Sequence, residues 1–195
     1  MKRVLCAVAL LLYSSAAFAF NPAPAAKTTS SSPRVGVLRM PENGSVERMI
    51  VRYLRDELRQ RDVDAYDTGL TYEQVANGEG EEADYYVEIV GADGNSGTYG
   101  GLGLGSYDFG VSVDYVVSSI AAELRLYDGH TGKLLHNETL KKRKGTVMPT
   151  SVYLGGSHVF AALTVPFVHH QQFKSVTRSA ARDAAQAVVA TLQQR

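Results

Sequence analysis

The residues whose types and spacing could do chemistry are few. Gly101, Gly103 and Gly105 alternate in GLGLGS, the outline of a phosphate-cradling turn, but the dinucleotide fingerprint needs a glycine where Ser106 stands, and no helical pattern opens there. His130, His136, His158, His169 and His170 lack the spacing of metal ligands, and His169-His170 is read as pointing to opposite sides of an extended segment. Gly156-Ser157-His158 lacks the further glycine of a nucleophile elbow. Glu79, Glu81 and Glu82 fall in a polar, glycine-interrupted loop where solvation accounts for them. Asn43-Gly44-Ser45 and Asn137-Glu138-Thr139 fit a glycosylation pattern that only a eukaryotic secretory host would use. The expectation is a chain with no catalytic residue, no cofactor and no metal. An enzyme with a dispersed site is the remaining catalytic alternative, since such a site leaves no local motif.

The start of the chain reads as an export leader. Met1-Lys2-Arg3 is basic, 4–13 is an apolar run too short to span a bilayer as a helix, and Ala17-Phe18-Ala19 is a small-x-small cleavage site. Residues 1–19 are therefore expected to be a signal peptide, with the mature chain in the periplasm or on the periplasmic face of an outer membrane. The single cysteine, Cys6, leaves with the leader, and it lies too near the start to resemble a lipidation site. Residues 20–33 are rich in proline, alanine and serine and read as a flexible linker. The remaining 34–195 fit one domain, given 45% hydrophobic residues in a chain of 195. Removing Lys2 and Arg3 from 20 basic residues against 20 acidic leaves a net charge of −2, which gives no reason to expect nucleic acid.

Within that domain, Val35 and Val37 mark a first strand that Pro41 and Asn43-Gly44 end. Ser45 can cap a helix whose Val46, Met49, Ile50, Tyr53, Leu54 and Leu58 recur at helical spacing. A short strand at 63–66 follows, then a brief helix with capping-box spacing at Thr71 and Gln74. Tyr85, Val87 and Ile89 alternate in a third strand. In 118–135, Ile120, Ala122, Leu124 and Leu126 alternate with Ala121, Glu123, Arg125 and Tyr127, which predicts a half-buried antiparallel strand with the second set in water. Asp128 to Gly132 then supplies two glycines for a hairpin that needs positive φ. A closing helix is expected over 173–192, with an alanine-rich face suited to lying close on a sheet.

Two surfaces stand out as binding candidates. Arg48, Arg52, Arg55 and Arg59 share a narrow sector of the first helix, either as an anion or partner site or as a solvated face partly neutralised by Asp56 at i+4 from Arg52. Between the third strand and Ile120, 91–117 is crowded with glycine. Yet Leu102 and Leu104 alternate with glycines, and Phe109, Val111, Val113 and Tyr115 alternate with Gly110, Ser112 and Asp114. Tyr99, Leu102, Leu104, Tyr107, Phe109, Val111 and Val113 thus make a candidate membrane or partner hairpin around Ser106-Tyr107-Asp108, a surface loop being the alternative. A second hairpin is expected over 146–168, kept to an edge or to irregular structure by Pro149 and Pro166. The fold class is α+β, a mixed or antiparallel sheet flanked by two main helices with glycine-rich β-hairpin extensions.

The strand DYYVEIVGA, the insertion GGLGLGSYDFG and the segment SSIAAELRLYDGHTGKLL together resemble the curli secretion-channel family of bacterial outer membranes. Related α/β domains occur in the Tol translocation protein and in lipoprotein activators of cell-wall synthases. The resemblance implies an envelope domain that self-associates or binds another envelope protein, with hairpins at 99–115 and 146–168 that in the channels join a ring-shaped membrane barrel. Its expected role is a non-catalytic assembly or interaction module, with an outer-membrane pore subunit as the alternative. The connection 40–44 is far shorter than the channel's constriction loop, and the hairpin arms look shorter than the ~9 to 11 residues of a membrane strand.

Overall fold

The structure is a computed structural model that describes residues 32–40, 44–106, 109–154, 157–159 and 164–194. The leader, most of the linker and Tyr107 lie outside these residues. Among them the chain runs β1 (Arg34–Val37), α1 (Ser45–Arg59), β2 (Asp64–Asp67), α2 (Tyr72–Ala76), β3 (Tyr85–Gly105), β4 (Phe109–Asp128), β5 (Leu134–Leu154), β6 (Ser157–Val159) and α3 (Thr164–Gln193). The strands form one mixed sheet in the order β2-β1-β3-β4-β5-β6. β1 is parallel to both β2 and β3, and the remaining pairs are antiparallel.

The β1-α1-β2 unit forms because α1 carries one apolar stripe. Ile50, Leu54 and Leu58 are wholly buried against Val35, Val37 and Ala65, and a parallel crossover is the arrangement that brings such a stripe back onto the sheet. Gly44, not Ser45, occupies the N-cap, and its backbone N–H donates to the Glu47 carboxylate at 2.6 Å. Asp62, at φ 60°, makes the turn from α1 towards β2, a left-handed position that aspartate tolerates better than most residues. α2 begins with the anticipated capping box, in which Thr71 Oγ1 accepts from Gln74 N at 3.4 Å and Gln74 Oε1 accepts from Thr71 N at 3.1 Å.

Both long helices lie on one face of the sheet. Val176, Ala180, Ala184 and Val188 of α3 pack with α1 over Val87, Ile89, Leu124 and Leu126, the small alanines letting the helix approach closely. The opposite face carries a smaller cluster of Leu38, Ala83, Tyr86 and Tyr127 beneath α2. Tyr127 was expected in water beside Glu123 and Arg125. Instead it is buried and stacks on Tyr72 with ring centroids 4.3 Å apart. Its hydroxyl donates to Glu88 at 3.2 Å, and burial holds the Glu88 carboxyl above the usual carboxylate range despite that bond.

The β4–β5 turn also departs from expectation in detail. Gly132 has φ 66°, but Gly129 does not take positive φ; it is glycine because a Cβ would run into the Ala83 carbonyl. Asp128 Oδ1 organises the turn by accepting from His130 N at 3.1 Å and from Thr131 N and Oγ1 at 2.9 Å each. α3 starts at Thr164 rather than near 173, so Pro166, His169 and His170 are helical and the two histidines do not flank an extended segment. Over 146–168, 146–154 continues β5 against β4, and among the described residues Ser157–Val159 pairs back antiparallel onto Val152–Leu154.

Candidate functional site: an amphipathic three-stranded ribbon

β3, β4 and β5 run on well past the helix-covered core as a three-stranded ribbon. β3 and β4 stay paired out to Gly105↔Gly110, and β4 and β5 out to Phe109↔Leu154. On the β1 side β3 is paired only through Val87, and β5 meets β6 only from Val152 to Leu154, so among the described residues both flanks of the ribbon have free strand edges.

Alternation along paired strands sorts the ribbon into two unlike faces. A bulge at Gly100, φ 49°, keeps β3 in step with β4 across the shift between Tyr99 and Gly101. Tyr99, Leu102 and Leu104 of β3, Phe109, Val111, Val113 and Tyr115 of β4, and Val147 and Val152 of β5 share the face turned away from α1 and α3. Leu102 and Leu104 are 73% and 74% exposed, Val147 is 65% exposed, and Tyr99 and Phe109 are about half exposed. The helix-side face carries Gly101, Gly103, Gly105, Gly110, Ser112 and Asp114. A Cβ at Gly101 would stand 2.7 Å from Asp114 Oδ1.

At its root the polar face is tied to α3. His169 Nδ1 lies 2.6 Å from Ser96 Oγ, its Nε2 lies 2.9 Å from Thr98 Oγ1, and Ser96 Oγ reaches Ser118 Oγ at 2.8 Å. Gln172 Nε2 donates to the Lys144 carbonyl at 2.7 Å and the Val116 carbonyl at 3.2 Å, while its Oε1 is buried without a partner among the described residues. Phe173 and Val46 pack where a side chain at Gly94 would go. The sequence reading missed His169 and Gln172 because it began the closing helix at 173, too late to bring them over the strands. It missed Val147 because Pro149 argued against a long strand, although Pro149 is accommodated on the outer strand of the ribbon beside a register shift.

The arginine sector of α1 is put to several uses. Arg55 pairs with its neighbour Asp56 at 3.2 Å, so Asp56 is not taken by Arg52 as the i+4 spacing suggested. Arg59 Nε donates to the Ala65 carbonyl at 2.7 Å, Arg52 lies over the Tyr53 ring at 5.6 Å, and Arg48 is exposed. Between α1 and α3 runs a groove of about 610 Å³ lined by Tyr53, Lys174, Arg178 and Arg182. Its cations are partly engaged, Arg178 over Tyr53 at 5.0 Å and Arg182 3.6 Å from Glu57. The Glu57 carboxyl is held below the usual range, first by its hydrogen bond from Arg61 at 2.9 Å.

Ser96 and His169 are the pair nearest to a nucleophile and base, but the second imidazole nitrogen faces the Thr98 hydroxyl, where a triad has an orienting carboxylate. No three His, Cys, Asp or Glu side chains converge among the described residues. No described helix is long and apolar enough to cross a membrane, which says nothing about crossing by strands.

No family model matches the chain, and no curated relative matches it. Solved structures of similar outline include an uncharacterized lipoprotein B from Nitrosomonas europaea, at 15% identity and TM-score 0.46, covering 84% of this chain and 89% of that one. The rare lipoprotein B from Shewanella oneidensis aligns at 11% identity and TM-score 0.43 over 82% of this chain and 96% of that one. A PelC dodecamer from Paraburkholderia phytofirmans aligns at 13% identity and TM-score 0.35 over 78% and 84%. At these values the likeness is one of outline and carries neither activity nor partner across. The resemblance to curli secretion channels rests on the sequence motifs alone.

Proposed function

We propose that the chain is an exported, non-catalytic module of the bacterial cell envelope that assembles with copies of itself through the ribbon, whose apolar face enters a bilayer. The observation that carries this reading is the two-faced ribbon itself. Outward leucines and valines alternating with inward glycine, serine and aspartate are the pattern of a membrane-barrel strand, whose one side meets lipid and the other a polar lumen. Tyr99 and Tyr115 face each other across β3 and β4 at one end of the apolar stretch, and Phe109 closes the other, where aromatic girdles lie in such barrels. From Phe109 to Tyr115 the apolar stretch extends about 20 Å at ~3.4 Å per residue. At a tilt of ~40° that projects to about 16 Å, about two-thirds of the ~25 Å apolar band of outer-membrane barrels. β4 as a whole runs 20 residues, longer than the separate sequence patterns suggested.

Self-assembly follows from the edges. Unpaired backbone N–H and C=O groups cannot stay unsatisfied in hydrocarbon, so three strands with two free edges must meet further strands before they can reside there. The β3 edge of one copy against the β5–β6 side of the next is a head-to-tail contact, which closes into a ring when the rotation allows. A secretion-pore subunit, as the curli resemblance implies, is the finer form of this reading. The alternative is an aqueous module whose same face docks on another envelope protein. The two are separated by purifying the chain from residue 20 onward and measuring its mass and its flotation with phosphatidylcholine vesicles. Oligomers in detergent that float with vesicles support the membrane reading. A stable monomer in detergent-free buffer that stays off vesicles would defeat it.

A further inference from the structure

The run Lys141-Lys142-Arg143-Lys144 lies in β5 just before the apolar stretch, and strand alternation divides it between the two faces. On the helix side both lysines are engaged: Lys142 pairs with Asp183, and Lys144 Nζ donates to Ser175 Oγ at 3.3 Å. On the open face Lys141 and Arg143 are exposed and have no ion pair among the described residues. They line a shallow cavity of about 260 Å³ with Asn95 and Ser119, in which Asp93 is the one acidic residue. Two residues on from Arg143, Gly145 lies beneath the Tyr115 phenol, and two further on Val147 begins the exposed aliphatic row of β5.

Read along this face, the order is cation, tyrosine, aliphatic. Arg143 stands about 7 Å from the tyrosine level and about 14 Å from Val147 at ~3.4 Å per residue. That spacing suits a phosphate layer just outside the hydrocarbon, where long cationic side chains extend to reach head groups. We propose that Lys141 and Arg143 bind the phosphate head groups of anionic lipids and so set the depth at which the ribbon stops. This assignment rests on the membrane reading above. The α1–α3 groove is the weaker candidate for such a role, since Arg178 and Arg182 are already partnered.

The test is flotation of the chain from residue 20 onward with vesicles of phosphatidylcholine alone and with vesicles in which a minority is phosphatidylglycerol. Each cation near an anionic surface multiplies affinity about fivefold at low salt, so the two together should favour the anionic vesicles by about 25-fold. The double variant K141Q/R143Q should lose that preference and keep its binding to phosphatidylcholine, whereas R48Q/R52Q, which removes the same charge from α1, should keep both. Millimolar inorganic phosphate should not displace the protein if the lipid surface is the ligand. The proposal is overturned if K141Q/R143Q retains the preference, if R48Q/R52Q loses it equally, or if free phosphate abolishes it. Equal flotation with both vesicles overturns the head-group assignment and leaves the membrane reading standing; flotation with neither defeats both.

Discussion

The double substitution Leu102→Asp and Leu104→Asp separates what the ribbon does for folding from what it does for association. Both side chains are about three-quarters exposed, so replacing them removes little internal contact. Each should cost the isolated fold no more than about 1 kcal/mol, made up of poorer strand propensity and weaker cross-strand contact with Val113 and Val111. For a domain of this size that lowers Tm by at most about 8 °C for the pair. In association the same side chains count for far more. Covering the exposed three-quarters of a leucine contributes about 1–2 kcal/mol, and a carboxylate placed on a lipid-facing position adds a further penalty of about 1–2 kcal/mol. Two positions together should weaken insertion or apolar docking by about 4–8 kcal/mol, roughly three to six powers of ten. Far-ultraviolet melting measures the first quantity, and flotation with light scattering measures the second. Unchanged flotation of the variant would refute the assignment of this face. So would a collapse of Tm by more than about 20 °C, because it would mean that these leucines are packed inside the protein.

Other outcomes follow from particular contacts. Gly145 lies where the Tyr115 phenol crosses β5, so Gly145→Val should displace that ring and destabilise the fold by about 1–2 kcal/mol; in a Tyr115→Ala background most of that cost should vanish, which a double-mutant cycle on urea unfolding would measure. Glu88 binds its proton more tightly folded than unfolded, first because it is buried. Its favourable contribution is therefore complete below the unfolded carboxylate range and lost as pH rises through the raised folded value. Glu88→Gln should accordingly stabilise the protein near neutral pH, with a benefit that fades on acidification towards pH ~4. A benefit that grows on acidification would reverse that assignment.

The core was legible because its signals are local. The Ile50–Leu54–Leu58 stripe and the Ile120–Leu126 alternation each state a period, and burial follows them. The ribbon was only half legible. Glycine alternating with leucine fits a loop as well as a strand, since glycine carries no side chain to pack and is conformationally free. Register with Val111 and Val113 resolves it, and register is a non-local property. The same holds for Tyr127, which reads as a solvent-facing residue on β4 until α2 brings Tyr72 over it. His169 and Gln172 were hidden by Pro166, which argues against a helix in isolation but is tolerated in the first turn of α3, where its missing N–H would find no helical partner.

The polar anchors bear on how the ribbon could act. A glycine-rich segment loses more conformational freedom on ordering than any other, and a ribbon that ordered only on meeting its target would pay that cost at binding. Here the ordering has already been met within the fold. β3, β4 and β5 are paired along their length, and His169 and Gln172 fasten the root of the polar face to a helix whose alanine-rich side is buried in the core. The apolar face is thus presented on a preformed support, while the glycines leave the opposite face flat enough to line a lumen or to meet another strand. Helix α3 therefore does two things: its alanines close the core, and its first turns hold the ribbon out from it.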